Sequence, residues 1–178
     1  MLITLQQIRD HHPCSEGWRK LLTSLGNPSN MTMKVSIGDI AKSNGAQDAI
    51  WCTRCLPESE RINIIRAILP SVKRAVTYTT DKRVHDCINA IERWCAGDKS
   101  INLSAAAEVA YAVAYAVGEV AEVAAYAVGA VAEAVAAAVA AAAAEAVAAA
   151  AYAVGAAAEK EKQVADIIAI FPLDAFKT

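Results

Sequence analysis

Apolar residues recur along the first half of the chain at helical spacing, in short runs separated by turn residues. Thr4 with Gln7 three positions later is a capping-box pattern that starts a short helix through Ile8 and Asp10, and Pro13 stops it. Trp18, Leu21, Leu22 and Leu25 form the apolar stripe of the next helix, which Gly26 followed by Asn27-Pro28 ends. Residues 27–35 read as a loop. Ser36 with Asp39 is a second capping signature and predicts about two turns over Ile37 to Ser43, closed by Asn44-Gly45. Ala46 to Leu56 carries Ala49, Ile50, Cys52 and Leu56 on one face before Pro57 breaks it. Ile62, Ile64, Ile65, Ile68 and Leu69 make another helix, which Pro70 is expected to end or kink before Val72, Ala75 and Val76. Thr80-Asp81 opens a further helix whose inward set is Val84, Cys87, Ile88, Ile91 and Trp94, closed by Gly97.

The second half has a different texture. Ser104 is a suitable N-cap, and from Val109 the valines fall at 113, 117, 120, 123, 128, 131, 135 and 139, a continuous helical stripe. Part of this tract repeats every eleven residues: Tyr-Ala-Val-Gly at Tyr115 returns at Tyr126, and Glu122 is echoed by Glu133. Eleven residues match three helical turns almost without drift. A single rod over 104–170 would run about 100 Å at roughly 1.5 Å per residue, too long for a chain with so little other mass. The tract is therefore expected to fold back as two or three antiparallel helices, breaking near Gly118, Gly129, Ala140–Ala144 or Gly155. Small side chains let such helices approach closely. Ile167, Ile168, Ile170 and Phe171 then supply an apolar tail suited to docking on the N-terminal half. The expected fold is all-α: an N-terminal domain of short helices over 1–99, followed over 100–178 by a long Ala/Val-rich helical hairpin or bundle packed on it as one body.

Composition sharpens this picture. The chain is 56% hydrophobic, yet much of that is alanine, and only two Phe, three Trp and five Tyr are present. Alanine favours helix but contributes little burial energy. Net charge is −2, so a general attraction to nucleic acid or to an anionic membrane is not expected. Residues 1–99 hold 14 Lys/Arg against 10 Asp/Glu, whereas residues 100–158 have no Lys or Arg and only Glu108, Glu119, Glu122, Glu133 and Glu145. These glutamates, with alanine's weak lipophilicity, argue against a membrane span. Met1 and the residues after it lack the basic start and apolar run of a signal peptide. Five cysteines, an odd number lying mostly within helical patterns, point to free thiols in a reducing cytoplasm.

No group of residues adds up to a catalytic set or a cofactor site, so an enzyme is not expected. His11, His12 and Cys14 with Cys52 and Cys55 offer soft ligands, but Cys52 and Cys55 share a helix face where cysteine is an ordinary small core residue, and no metal is assigned. His11, His12 and His85 sit in no recognisable nucleophile arrangement, and Gly118, Gly129 and Gly155 are isolated in helix, not gathered in a phosphate loop. Lys73, Arg74, Lys82 and Arg83 cluster around the turn at 77–80, and Glu119, Glu122 and Glu133 form a sparse acidic strip. Solvated faces are the ordinary reading of both, and they are the candidate partner-binding residues. Tyr111, Tyr115, Tyr126 and Tyr152 read as packing or interface residues.

His12-Pro13-Cys14-Ser15-Glu16-Gly17-Trp18, Leu21-Leu22, Leu25-Gly26, Ile37-Gly38-Asp39-Ile40, Ser43-Asn44-Gly45 and Asp48-Ala49-Ile50-Trp51-Cys52 together resemble a set of small phage and prophage proteins that also end in an alanine-rich helical tract. Arg83 to Gly97, with Ala90-Ile91-Glu92-Arg93-Trp94-Cys95-Ala96-Gly97, is similar to bacterial proteins described as immunity proteins. The resemblance covers most of the chain and implies a mobile-element origin, a bacterial cytoplasm and action by binding. The chain departs from it in the tract, where Val and Tyr take places often held by Trp, Asp or Arg. The expected function is that of a phage or prophage accessory protein bound to a host or phage protein, as an inhibitor of host defence or an immunity-type partner. Two alternatives belong to other classes: a small-molecule sponge for a nucleotide signal held by Arg or Lys, and a self-assembling helical protein forming homo-oligomers.

Overall fold

The computed structural model describes residues 1–77, 80–102, 105 and 157–173. The expected fold-back of the alanine-rich tract lies outside the described residues. Those described are mostly helical. In chain order they form β1 (Leu2–Thr4), α1 (Leu5–Asp10), α2 (Ser15–Ser24), β2 (Lys34–Ser36), α3 (Ile37–Asn44), α4 (Ala46–Cys52), two 3-10 turns at Thr53–Cys55 and Glu58–Glu60, α5 (Arg61–Val76), α6 (Lys82–Cys95) and α7 (Ala157–Ile170).

The chain uses one local device twice. In each case a three-residue strand ends in a hydroxyl residue that caps the helix following it. Thr4 accepts from the Gln7 amide while Gln7 Oε1 accepts from the Thr4 amide; Ser36 and Asp39 do the same for α3. These reciprocal bonds satisfy backbone donors that a helix start otherwise leaves orphaned. The two strands pair antiparallel, Leu2 opposite Ser36, Ile3 opposite Val35 and Thr4 opposite Lys34. Both central side chains, Ile3 and Val35, are buried. Lys34 and Val35 thus lie in a strand where the sequence suggested a loop, and among the described residues the helices are joined by one small β-ribbon.

Leu5 and Ile8 of α1, Leu21 of α2, Ile37, Ile40 and Ala41 of α3, and Ala49 and Ile50 of α4 converge beneath this ribbon. α3 and α4 are joined through Gly45, whose φ of +100° turns the chain between them. That angle is strained for any residue with a Cβ. α5 contributes Ile65, Ile68, Val72 and Val76, and α6 contributes Val84, Cys87, Ile88 and Ile91. Trp94, read as part of the inward set, packs partly buried at the edge of the core. α5 does not end at Pro70 but runs through it to Val76. Proline has no N–H for the carbonyl four residues back, here that of Arg66, an exposed residue.

α7 returns from the far end of the sequence to this core and packs on α5, α3 and α4. Ile167 and Phe171 are buried. The turn after α7 rests directly on α3: a Cβ at Gly38 would stand 2.2 Å from the Phe171 carbonyl oxygen, so only glycine admits the contact. No described helix is long and apolar enough to cross a membrane.

Candidate binding cleft

Between α2 on one side and α3 with α4 on the other lies a cleft of about 360 Å³. Its α2 wall is Cys14, Gly17, Trp18 and Leu21, one face of that helix by spacing; its α4 wall is Asp48, Trp51 and Cys52. Ile8 and Pro13 close one end, and Ile40, Asn44 and Gln47 complete it. Trp18 and Trp51, both half-buried, line this space.

The walls are held at a short distance by a small polar network. Asn44 Nδ2 donates to the Gly17 carbonyl at 2.9 Å and to Asp48 Oδ2 at 2.9 Å, tying α2 to α4. A Cβ on Gly17 would meet Asp48 Oδ2 at 2.9 Å and Cys14 Sγ at 3.2 Å, so the residue at 17 is small because the opposite wall approaches it. Cys14 Sγ accepts from the Gly17 amide at 3.3 Å and serves as the N-cap of α2. Beside the cleft, Arg54 donates from Nε to the Trp51 carbonyl at 2.9 Å and holds its guanidinium carbon 3.9 Å from the Trp51 ring centroid, a cation–π contact.

Charge in the cleft is one-sided. Asp48 supplies the carboxylate, and none of the described wall residues is Lys or Arg. Lys20 donates to the Asn44 carbonyl at 3.1 Å and lines a separate shallow depression with Glu16, Arg19 and Thr23. Burial pushes the Cys52 thiol well above the usual thiol range, with the negative charge of Asp48 adding to the effect and Arg54 opposing it. Burial likewise raises Cys55 to about 11 against the pull of Arg54. Both are therefore neutral thiols at physiological pH, unlike the thiolates of nucleophiles and metal ligands. Among the described residues no three His, Cys, Asp or Glu side chains gather closely enough to hold a metal ion.

A second polar cluster sits between α5 and α7. Glu159, whose side chain has no exposed surface, accepts from Arg74 Nε at 2.8 Å, from Arg74 Nη2 at 2.7 Å and from Ser71 Oγ at 2.9 Å. Arg74 Nη2 also reaches Asp166 at 2.8 Å, and Gln163 donates to Ser71 Oγ at 2.8 Å. Hydrogen bonding to Glu159, opposed by partial burial and reinforced by Asp166, holds the guanidinium well above its ordinary pKa.

The basic residues singled out in the sequence are thereby separated. Arg74 turns inward to α7. Lys73 pairs with Glu92 at 2.7 Å, Lys82 with Asp86 at 2.6 Å, and Arg83 with Asp81 at 2.7 Å, all on the exposed side of α5 and α6. Glu119, Glu122 and Glu133 lie outside the described residues, as do the four tract tyrosines. His11 and His12 are exposed at the turn after α1, and His12 takes a left-handed φ of 54°. The cleft itself joins residues 30 or more positions apart, Trp18 and Trp51 among them. What signals it in the sequence is the stripe Cys14, Gly17, Trp18, Leu21, which mixes a glycine and an aromatic on one helix face.

No family model, curated protein or solved structure matches the chain.

Proposed function

We propose that this protein is a phage- or prophage-encoded accessory protein of the bacterial cytoplasm that acts by binding a host or phage protein, as an inhibitor of host defence or an immunity-type partner. The observation carrying this reading is the cleft between α2 and α4, a preformed concave site lined by two half-buried indoles and by a carboxylate that Asn44 holds in place. Aromatic anchors in a partly desolvated pocket are the recurring centre of protein recognition sites. The resemblance to phage proteins points the same way. Of the segments that carry it, 12–18, 21–22, 37–40, 43–45 and 48–52 each place at least one residue in the cleft wall. The nucleotide-sponge alternative needs a cation to hold phosphate, and the described wall offers a carboxylate instead.

Affinity capture from bacterial lysate tests the proposal. Wild-type protein is expected to retain a partner at fixed stoichiometry, and W18A and W51A, with helical content unchanged by circular dichroism, are expected to lose it. Retention of the same partner by both folded variants would contradict the cleft as the binding site.

A further inference from the structure

We infer that the cleft between α2 and α4 is a guanidinium site, shaped to receive an arginine side chain of a partner protein. The inference rests on the binding reading above and names the group that is bound. Four observations carry it.

Asp48 provides the carboxylate among the described wall residues, and no lysine or arginine faces it there, so the cleft has a negative charge still to be answered. The carboxylate is held in place: Oδ2 accepts from Asn44, and the backbone of Gly17 lies against it. A fixed planar carboxylate suits the two parallel N–H groups of a guanidinium better than the single ammonium of lysine. The aromatic faces of Trp18 and Trp51 attract cations through the ring quadrupole, and guanidinium adds a flat surface that stacks. Trp51 already holds the guanidinium of Arg54, which is not part of the wall, at 3.9 Å from its ring centroid. Finally, the volume of about 360 Å³ is close to the lower end of roughly 300–1,000 Å³ found for ligand clefts. It is ample for one long side chain.

The test uses the full-length chain carrying W94F, so that emission reports Trp18 and Trp51 alone, together with calorimetry. The probes are n-butylguanidinium and its neutral isostere n-butylurea. Saturable binding of butylguanidinium at least ten-fold tighter than butylurea is expected. D48N is expected to weaken butylguanidinium about ten-fold and leave butylurea unchanged. W18L, which keeps an apolar wall but removes the π face, is expected to weaken it by a similar factor.

Equal binding of the two probes, or an unchanged butylguanidinium affinity in folded D48N and W18L, overturns the inference. A capped Gly-Gly-Arg-Gly-Gly peptide is expected to bind at least as tightly as butylguanidinium. Exclusion of that peptide assigns the site to a free organic cation and overturns the protein source. Cleft-dependent capture without guanidinium preference removes this inference and leaves the binding reading standing. Guanidinium preference without any captured protein removes the binding reading.

Discussion

Glu159 follows a long alanine-rich tract and precedes Lys160, Glu161 and Lys162, so in the sequence it looks like one more solvated charge. Its side chain is instead fully enclosed, with Arg74 and Ser71 as its partners. The clue is a stripe at steps of four, Glu159, Gln163, Ile167 and Phe171, the four buried residues of this segment. Sequence spacing alone shows that they share a face but not that Arg74, 85 positions earlier, meets it. A buried charge is tolerated only while its partner remains, and removing one partner of such a pair typically costs about 3–5 kcal/mol. R74A, which leaves the enclosed Glu159 carboxylate without its cation, should therefore lower stability in urea by about 3 kcal/mol; a loss below about 1 kcal/mol would place the pair in the class of weak surface bridges. Arg83 offers a complementary check at an exposed site. Hydrogen bonding from Arg83 holds Asp81, the N-cap of α6, at about 2, below its ordinary 3.8. A depressed carboxylate stabilises the fold above its unfolded value, and that contribution is lost as pH falls from 3.8 toward 2. The Asp81 carboxyl carbon should titrate near 2 by NMR, and R83A should move the midpoint up toward 3.8.

At the scale of elements, helices with a clear 3.6-residue period were legible and their ends were marked by the caps at Thr4, Ser36 and Asp81 and by Gly26, Gly45 and Gly97. The ribbon was not. Strands of three residues have too few positions to show alternation, and Ile3 and Val35 are matched only once the chain has closed a loop of 31 residues between them. Of the two outcomes expected at Pro70, an end or a kink, the end does not occur: the penalty of one missing donor is smaller than the burial of Ile65, Ile68, Val72 and Val76 on α5, which runs through it. The return of α7 depends on a contact without side-chain chemistry on one partner, the seat of Phe171 against Gly38. G38A should push the turn after α7 off α3 and forfeit the burial of Phe171, about 2 kcal/mol. Amide exchange over 161–171 should then accelerate while that of the β1–β2 pair stays slow; equal acceleration in both would mean that α7 is not a separately docked element.

Over the whole molecule, the described residues form a mostly helical core whose last helix is bolted by an ionic cluster and which is left concave between α2 and α4. The residue types in that face, Trp18, Trp51, Asp48 and Asn44, stood in view in the sequence. Their meeting did not, because it depends on the Gly45 turn and on the close approach at Gly17, both properties of the folded backbone. The basic cluster around 73–83, the most conspicuous feature by charge, is occupied with internal pairs. Three tryptophans give three indole N–H signals, and they divide cleanly: Trp18 and Trp51 line the cleft, whereas Trp94 lies under Lys99 at 3.1 Å on another part of the surface. The decisive measurement is the indole region of the ¹H–¹⁵N spectrum of the full chain as the captured partner is added. Shifts at Trp18 and Trp51 with Trp94 unmoved are expected; a shift at Trp94 with the two cleft indoles unmoved would contradict binding through this cleft.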